Sequence, residues 1–321
     1  MAISHLHVQH ELVGLTRELD EIIHDFAYLA DRHKEFHPAN SGDISQVLDK
    51  QLGAYLVHLF NATASSWIEI SKIESLASLR NDGRTGYRSE GIKDPAYYDL
   101  IRSMAGRVML ITRTGAEISA LKHSIDQDEG SKLLVVVEVD KEGKSVRLIF
   151  GNAQYGSIPS IELHVHLLGN GLSITEGWDN PSVVHAHPFH LVTLSREKVI
   201  AGNFQLFNAA LYTQIEGINR NYPKLVGIVP YYPSGSSALV EHSMSTFQEH
   251  HLMAWMNHGF VVRERSIRMG YTLMAYADDS ARAALDSLRF GSHGLPYREI
   301  DQFLKEKELI EAYKTLFSRE V

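Results

Sequence analysis

Val183-Val184-His185-Ala186-His187-Pro188 is an apolar stretch in which two histidines stand one residue apart. In a strand, residues i and i+2 point to the same face, so His185 and His187 project side by side. Two imidazoles on one face are either a metal-ligand pair or a pair of partly buried histidines satisfied by hydrogen bonds. A third histidine bears on that choice. Ala254-Trp255-Met256-Asn257-His258-Gly259 closes a second short apolar run at His258, immediately before a glycine, the place of a strand-end ligand at the lip of a pocket. A catalytic zinc site takes three protein ligands and keeps one position open, and His185, His187 and His258 make up that number.

The composition is compatible with such a site. A chain of 321 residues, 44% of them hydrophobic, buries a substantial core and suits one large domain with additions. With no cysteine there is no disulfide framework and no thiolate ligand, which leaves histidine and carboxylate to hold a metal. The net charge of −8, without a basic patch, speaks against a nucleic-acid partner. Histidine, glutamate, arginine and aspartate occupy the N-terminal stretch where a signal peptide needs an apolar core, and no apolar run approaches the length that spans a bilayer. The expectation is a soluble, cytoplasmic protein with a small-molecule ligand and no membrane partner.

Outward from the histidine pair toward the N-terminus, Leu12, Leu15, Leu19, Ile22, Ile23, Phe26 and Leu29 recur at helical spacing and predict an amphipathic helix over residues 5–36. Its histidines, His5, His7, His10, His24, His33 and His37, do not recur on one face and read as solvated surface. His37-Pro38-Ala39-Asn40-Ser41-Gly42 ends this helix and supplies caps for another from about Ile44 to Phe60. Residues 1–45 thus form a helical extension, with the main domain at 46–321. Ser66 to Ser71 alternates like a strand, and the polar stretch 72–106, with Asn81-Asp82-Gly83 and Asp94-Pro95, reads as an insertion. Thr112-Arg113-Thr114-Gly115 follows the strand Val108 to Ile111 and is either a backbone nest able to hold an oxyanion or an ordinary tight turn. Leu133 to Asp140 and Val146 to Phe150 flank Lys141-Glu142-Gly143-Lys144 as a hairpin.

Nearer the pair, Ser160 is placed to cap a helix whose first turn holds Glu162, with His166 on the same face. Glu162 is either a favourable dipole partner or the carboxylate that proton abstraction next to a carbonyl requires. His164 and His166 point about 200° apart on a helix, so both cannot reach one metal. Pro188 then starts a helix through Leu194. Leu225 to Val229 is a strand, Ser237 to His250 a helix, and short strands flank His258. Tyr271 to Leu288 and Tyr297 to Phe317 are the closing helices. The alternation gives an α/β class, and the hairpin-linked strands predict a sheet that is mixed or antiparallel at its centre.

In order, Thr112-Arg113-Thr114-Gly115, Pro159-Ser160-Ile161-Glu162 with His166, His185-Ala186-His187, Tyr232-Pro233-Ser234-Gly235-Ser236 and Asn257-His258-Gly259 resemble the successive motifs of the class II aldolase/adducin family. The resemblance covers roughly residues 46 to 290, and the long gap from Glu162 to His185 is more similar to the rhamnulose-1-phosphate aldolase branch than to the fuculose branch. It implies a three-layer α/β/α sandwich around a mainly antiparallel sheet, assembled as a homotetramer. It also implies a zinc-dependent lyase, with one Zn2+ per chain, that cleaves a ketose 1-phosphate or related hydroxy-ketone to dihydroxyacetone phosphate and an aldehyde through a zinc-stabilised enediolate. By the same resemblance His185, His187 and His258 are the zinc ligands and Glu162 the general acid/base, while Thr114 and Gly115, with Ser160 nearby, hold the phosphate. Ser66-Trp67 stands where the family has a Gly-Asn pair lining the phosphate pocket, which makes Arg113 the candidate for the missing donors. A sugar-phosphate epimerase or dehydratase is the alternative within the family. A non-enzymatic adducin-like scaffold is the other, and the full set of three histidines with Glu162 speaks against it.

Overall fold

A computed structural model describes residues 2–37, 42–61, 64–70, 92, 94–127, 133–150, 159–222, 224–291, 294–295 and 297–317. Among the described residues nine strands form one sheet: β1 Asp43–Val47, β2 Ile68–Glu69, β3 Val108–Thr112, β4 Leu134–Val139, β5 Ser145–Phe150, β6 Ser182–Ala186, β7 Gly227–Val229, β8 Leu252–Trp255 and β9 Gly259–Glu264. Their spatial order is β2-β5-β4-β3-β1-β6-β9-β8-β7. Every pairing is antiparallel except that of β7 with β8. The mixed, mainly antiparallel sheet is therefore as expected.

Helices cover both faces. They are α1 Ala2–Arg32, α2 Lys50–Phe60, α3 Pro95–Ile101, α4 Leu121–Asp126, α5 Leu163–Thr175, α6 Phe189–Arg196, α7 Phe204–Tyr212, α8 Glu216–Asn221, α9 Ser237–Glu249, α10 Ile267–Phe290, α11 Tyr297–Glu306 and α12 Ile310–Phe317. Side chains at alternate strand positions go to opposite faces, so Val108 and Leu110 enter one core while Met109 and Ile111 enter the other. The first core lies beneath α1, α2, α7 and α10, and the second beneath α3, α5 and α9. With both faces covered, the central strands β3 and β6 are buried along their whole length. This is the expected α/β/α sandwich.

Several local expectations are corrected. The helix read from about Ile44 to Phe60 is a strand followed by a shorter helix: β1 sits between β3 and β6, and α2 begins only at Lys50, where the Asp49 side chain accepts the Gln51 N–H at 2.7 Å. β1 also crosses the expected 45/46 border, and α1 buries Phe26, Leu29 and Ala30 in the core on one face of the sandwich. His37, read as surface, is buried. Within the expected strand from Ser66 to Ser71 the described ladder covers Ile68–Glu69, at the sheet edge, with the Ile70 N–H donating to the Lys144 carbonyl at 2.9 Å, and Ser71 lies outside the described residues. Much of the expected insertion at 72–106, namely residues 72–91 and 93, lies outside them too; the remainder packs on α5 through Tyr97, Ile101 and Met104. The closing helix is two, broken before Ile310 where Glu308 takes φ 58°. Among the described residues no helix is long and apolar enough to cross a membrane.

Candidate metal centre

The three histidines predicted from spacing come together at one end of the sheet. His185 is the fourth residue of β6, and its Nδ1 donates to the carbonyl of Phe260 on β9 at 3.1 Å, which leaves the Nε2 lone pair directed outward. His187, two residues on, brings its Nε2 to 3.2 Å from that atom. His258 arrives from the β8–β9 turn, where Asn257 adopts φ 61°. Its ring centroid stands 4.9 Å from that of His185 and 5.3 Å from that of His187. One nitrogen from each of the three lies within 4.8 Å of the others. Gly259 permits this approach, because a Cβ there would stand 2.6 Å from His187 Cδ2 and 2.7 Å from both the Ala186 carbonyl and His185 Cε1.

These residues fit a divalent transition metal. A tetrahedral zinc with Zn–N bonds of 2.0–2.1 Å holds its nitrogens about 3.3 Å apart, close to the observed spacing of His185 and His187. Burial keeps the rings unprotonated at neutral pH: it pushes His185 well below its ordinary value, lowers His187, and brings His258 down to about 4. His258 Nδ1 is buried with no hydrogen-bond partner among the described residues, while its Nε2 faces the cluster.

Glu162 faces the same point. Its Oε2 lies 3.4 Å from His185 Nε2 and its Oε1 3.6 Å from His258 Nε2. It occupies the N-cap position of α5 rather than the expected first turn, with Ser160 Oγ accepting its N–H at 3.1 Å. Burial, and after it the Asp43 carboxylate, push Glu162 well above the usual carboxylate range. Asp43, which the sequence reading passed over, is the second acid of the site. Its Oδ1 meets His166 Nε2 at 2.7 Å and its Oδ2 accepts the Ser160 hydroxyl. Burial works to raise Asp43, but His166 overrides it and holds the carboxyl well below its usual range. Asn170 and Ser45 complete the support, with Ser45 Oγ 2.6 Å from His166 Nδ1 and 3.0 Å from Asn170 Nδ2. His164, as expected, points elsewhere: its Nδ1 takes the Tyr97 hydroxyl at 2.6 Å.

The expected phosphate residues divide. The Arg113–Gly115 turn, with Gly115 at φ 66°, abuts the approach to Glu162 through the Arg113–Pro159 bridge and the Ser160 N–H, which donates to the Thr112 carbonyl at 3.1 Å. Arg113 Nε is buried and has no partner among the described residues. Ser160 gives its hydroxyl proton to Asp43. Ser66-Trp67 is also corrected: it lies beside the edge strand β2, with the indole 44% exposed and the Arg147 guanidinium 4.6 Å above it. The glycine-led pair that precedes a strand at the centre is Gly42-Asp43. The cue was available in Gly42-Asp43-Ile44-Ser45, where a glycine opens a short stretch of alternating polarity.

The model of the Class II Aldolase and Adducin N-terminal domain matches residues 100–285. The chain belongs to the class II aldolase and adducin family. It is 23% identical to a rhamnulose-1-phosphate aldolase of Listeria monocytogenes over 180 residues, 56% of this chain and 63% of that one. To the rhamnulose-1-phosphate aldolase of Pectobacterium carotovorum it is 29% identical over 150 residues, 46% of this chain and 53% of the relative. The match therefore spans less than two thirds of either relative's length. The class II fold is shared with the crystal structure of a sugar-phosphate aldolase from Thermotoga maritima, at a TM-score of 0.60 and 20% identity over 85% of this chain and 97% of that one.

Proposed function

We propose that this protein is a metal-dependent aldehyde-lyase that cleaves a polyhydroxy-ketone of the sugar class, a ketose 1-phosphate or an unphosphorylated counterpart, into dihydroxyacetone phosphate or dihydroxyacetone and an aldehyde. The observation that carries this reading is the convergence of three unprotonated imidazoles on one point with the protonatable Glu162 3.4–3.6 Å away. A metal held by His185, His187 and His258, with zinc the best match to three nitrogens and an open position, would supply Lewis-acid polarisation of the ketone carbonyl and stabilisation of the negative charge that cleavage leaves on it.

The remaining work falls to this chain's own residues. Retro-aldol cleavage takes the O–H proton from the carbinol carbon as the carbon–carbon bond breaks, and returns a proton to the carbon left on the ketone half. Glu162 is the group positioned to move that proton. Its raised pKa brings it toward the pH at which one carboxyl both accepts and donates. Asp43, kept ionised by His166, disfavours a second negative charge beside it and so favours the protonated form of Glu162. Ser160 and the start of α5 fix the carboxyl's position, and the buried walls exclude water from the charge that develops. Assembly as a homotetramer belongs to the same proposal and is tested by light scattering.

Incubating the metal-loaded protein with a panel of ketoses and ketose 1-phosphates and assaying released aldehyde tests the reading. Cleavage of at least one member to two carbonyl products supports it. Interconversion of stereoisomers without cleavage would assign the same groups to an epimerase, and loss of water to a dehydratase. Inertness combined with failure to bind metal would leave a scaffold.

A further inference from the structure

Residues before β1 lie outside the matched segment 100–285, yet they end against the metal centre. The ladder between β6 and β9 stops at Ala186 and Phe260, so the N–H of His187 has no strand partner. It donates instead to the carbonyl of Phe36, at 2.7 Å, in the 3-10 turn that follows α1. The next residue, His37, is 1% exposed, and its Nε2 lies 2.7 Å from the hydroxyl of Tyr271 on α10, itself fully buried. One turn earlier, His33 stacks on both Phe36 and Tyr271, with ring centroids 5.2 Å apart in each case. On its other edge the His37 ring closes on Gly42: a Cβ there, at φ +80°, would stand 2.6 Å from His37 Nδ1 and 2.6 Å from the carbonyl oxygen of His185.

The three candidate ligands differ in what orients them. His185 is held by its own Nδ1 bond to Phe260, and His258 by a tight turn. Among the described residues His187 makes no comparable bond from its second ring nitrogen, and it sits just past the end of its strand. Its direction therefore depends on its backbone, and the contact that fixes the backbone is Phe36. We infer that the segment His33–His37, tied to Tyr271, is a brace that aims the His187 imidazole at the metal, with His37 its positioning residue. The inference rests on the metal-centre reading above. It follows physically because a metal site tolerates only about 0.5 Å of misplacement in a ligand, and a terminal strand residue without its anchor moves further than that.

Zinc and cobalt affinities of the full-length protein, measured by competition with a chromophoric chelator, test it together with hydrogen exchange over residues 182–190 of the metal-free protein. His37→Phe keeps the ring's bulk and removes its bond to Tyr271; Tyr271→Phe removes one oxygen; His37→Gln restores a polar partner for the hydroxyl. Each phenylalanine variant should bind metal about tenfold or more weakly, the loss seen when groups that orient a ligand are removed. The two losses should not add in the double variant, because both break one bond. His37→Gln should recover most of the affinity, and exchange at the His187 amide should quicken in both phenylalanine variants. If His37→Phe does not fold, Tyr271→Phe carries the comparison. Folded variants with wild-type affinity and unchanged exchange would overturn the brace while leaving the metal centre intact. A wild-type protein that binds no metal would overturn both.

Discussion

Replacing His164 with glutamine should flatten the acid side of the protein's stability curve. His164 lies at the start of α5, buried, with Tyr97 donating to its Nδ1 at 2.6 Å, and burial pushes it down to about 4 from an ordinary 6.5. Because the folded value lies below the unfolded one, the unfolded chain takes up the proton first. The contribution linked to His164 is then intact above about pH 6.5, falls as the pH drops, and is fully lost below about pH 4. The downward shift corresponds to about 3 kcal/mol in full, of which roughly half is lost between pH 7 and pH 5. Glutamine offers Tyr97 an acceptor but does not titrate. Urea denaturation of both proteins at pH 7 and pH 5, with a chelator present to remove any contribution from bound metal, reads the difference directly. His251 and His258, which are also pushed to about 4, contribute equally to both proteins and cancel. Equal losses in the wild type and the variant would refute the reasoning.

Glu162→Gln should retain metal and fold while turnover falls by about 10² to 10⁴, the usual share of a general acid–base group. Since the folded pKa of Glu162 is raised, the wild type loses stability as the pH rises above the unfolded carboxylate value, so the metal-free glutamine variant should be the more stable at pH 8 and equal at pH 4, as denaturation will show. Asp43→Asn removes a buried negative charge beside Ser160; the ratio of kcat/KM for a phosphorylated ketose over its unphosphorylated match should rise by about tenfold or more, and an unchanged ratio would place any phosphate away from Asp43. Gly259→Ala should abolish metal binding and cost about 1–3 kcal/mol, because its Cβ would meet the His187 ring and the Ala186 carbonyl; metal analysis and thermal melting check both parts.

The histidine cluster was legible because its signals are local. A two-residue spacing puts His185 and His187 on one face whatever surrounds them, and His258 lies in a hairpin turn whose flanking apolar runs are themselves readable. β1 was not legible for the opposite reason. Asp43, Ser45 and Gln46 give it the polarity of a cap and a helix start, and the partners that make a buried Asp43 tolerable, Ser160 and His166, are 117 and 123 residues away. His37 looked like one more surface histidine until Tyr271, 234 residues distant, supplied a buried hydroxyl. The same misreading sent the glycine-led pair of the site to Ser66-Trp67, since a helix over Ile44 to Phe60 leaves no strand for Gly42-Asp43 to precede. The break at Glu308 follows from a left-handed backbone at a residue with no preference for it, and nothing in the local sequence announces it.

The central claim is that His185, His187 and His258 hold one catalytic metal ion. Metal content of the purified protein, set beside that of His187→Ala and His258→Ala variants shown to be folded, tests it most directly. The account predicts one transition-metal ion per chain in the wild type, zinc foremost, and its loss from each variant. A folded wild type that takes up no transition metal under saturating supply, or variants that keep it in full, would contradict the account.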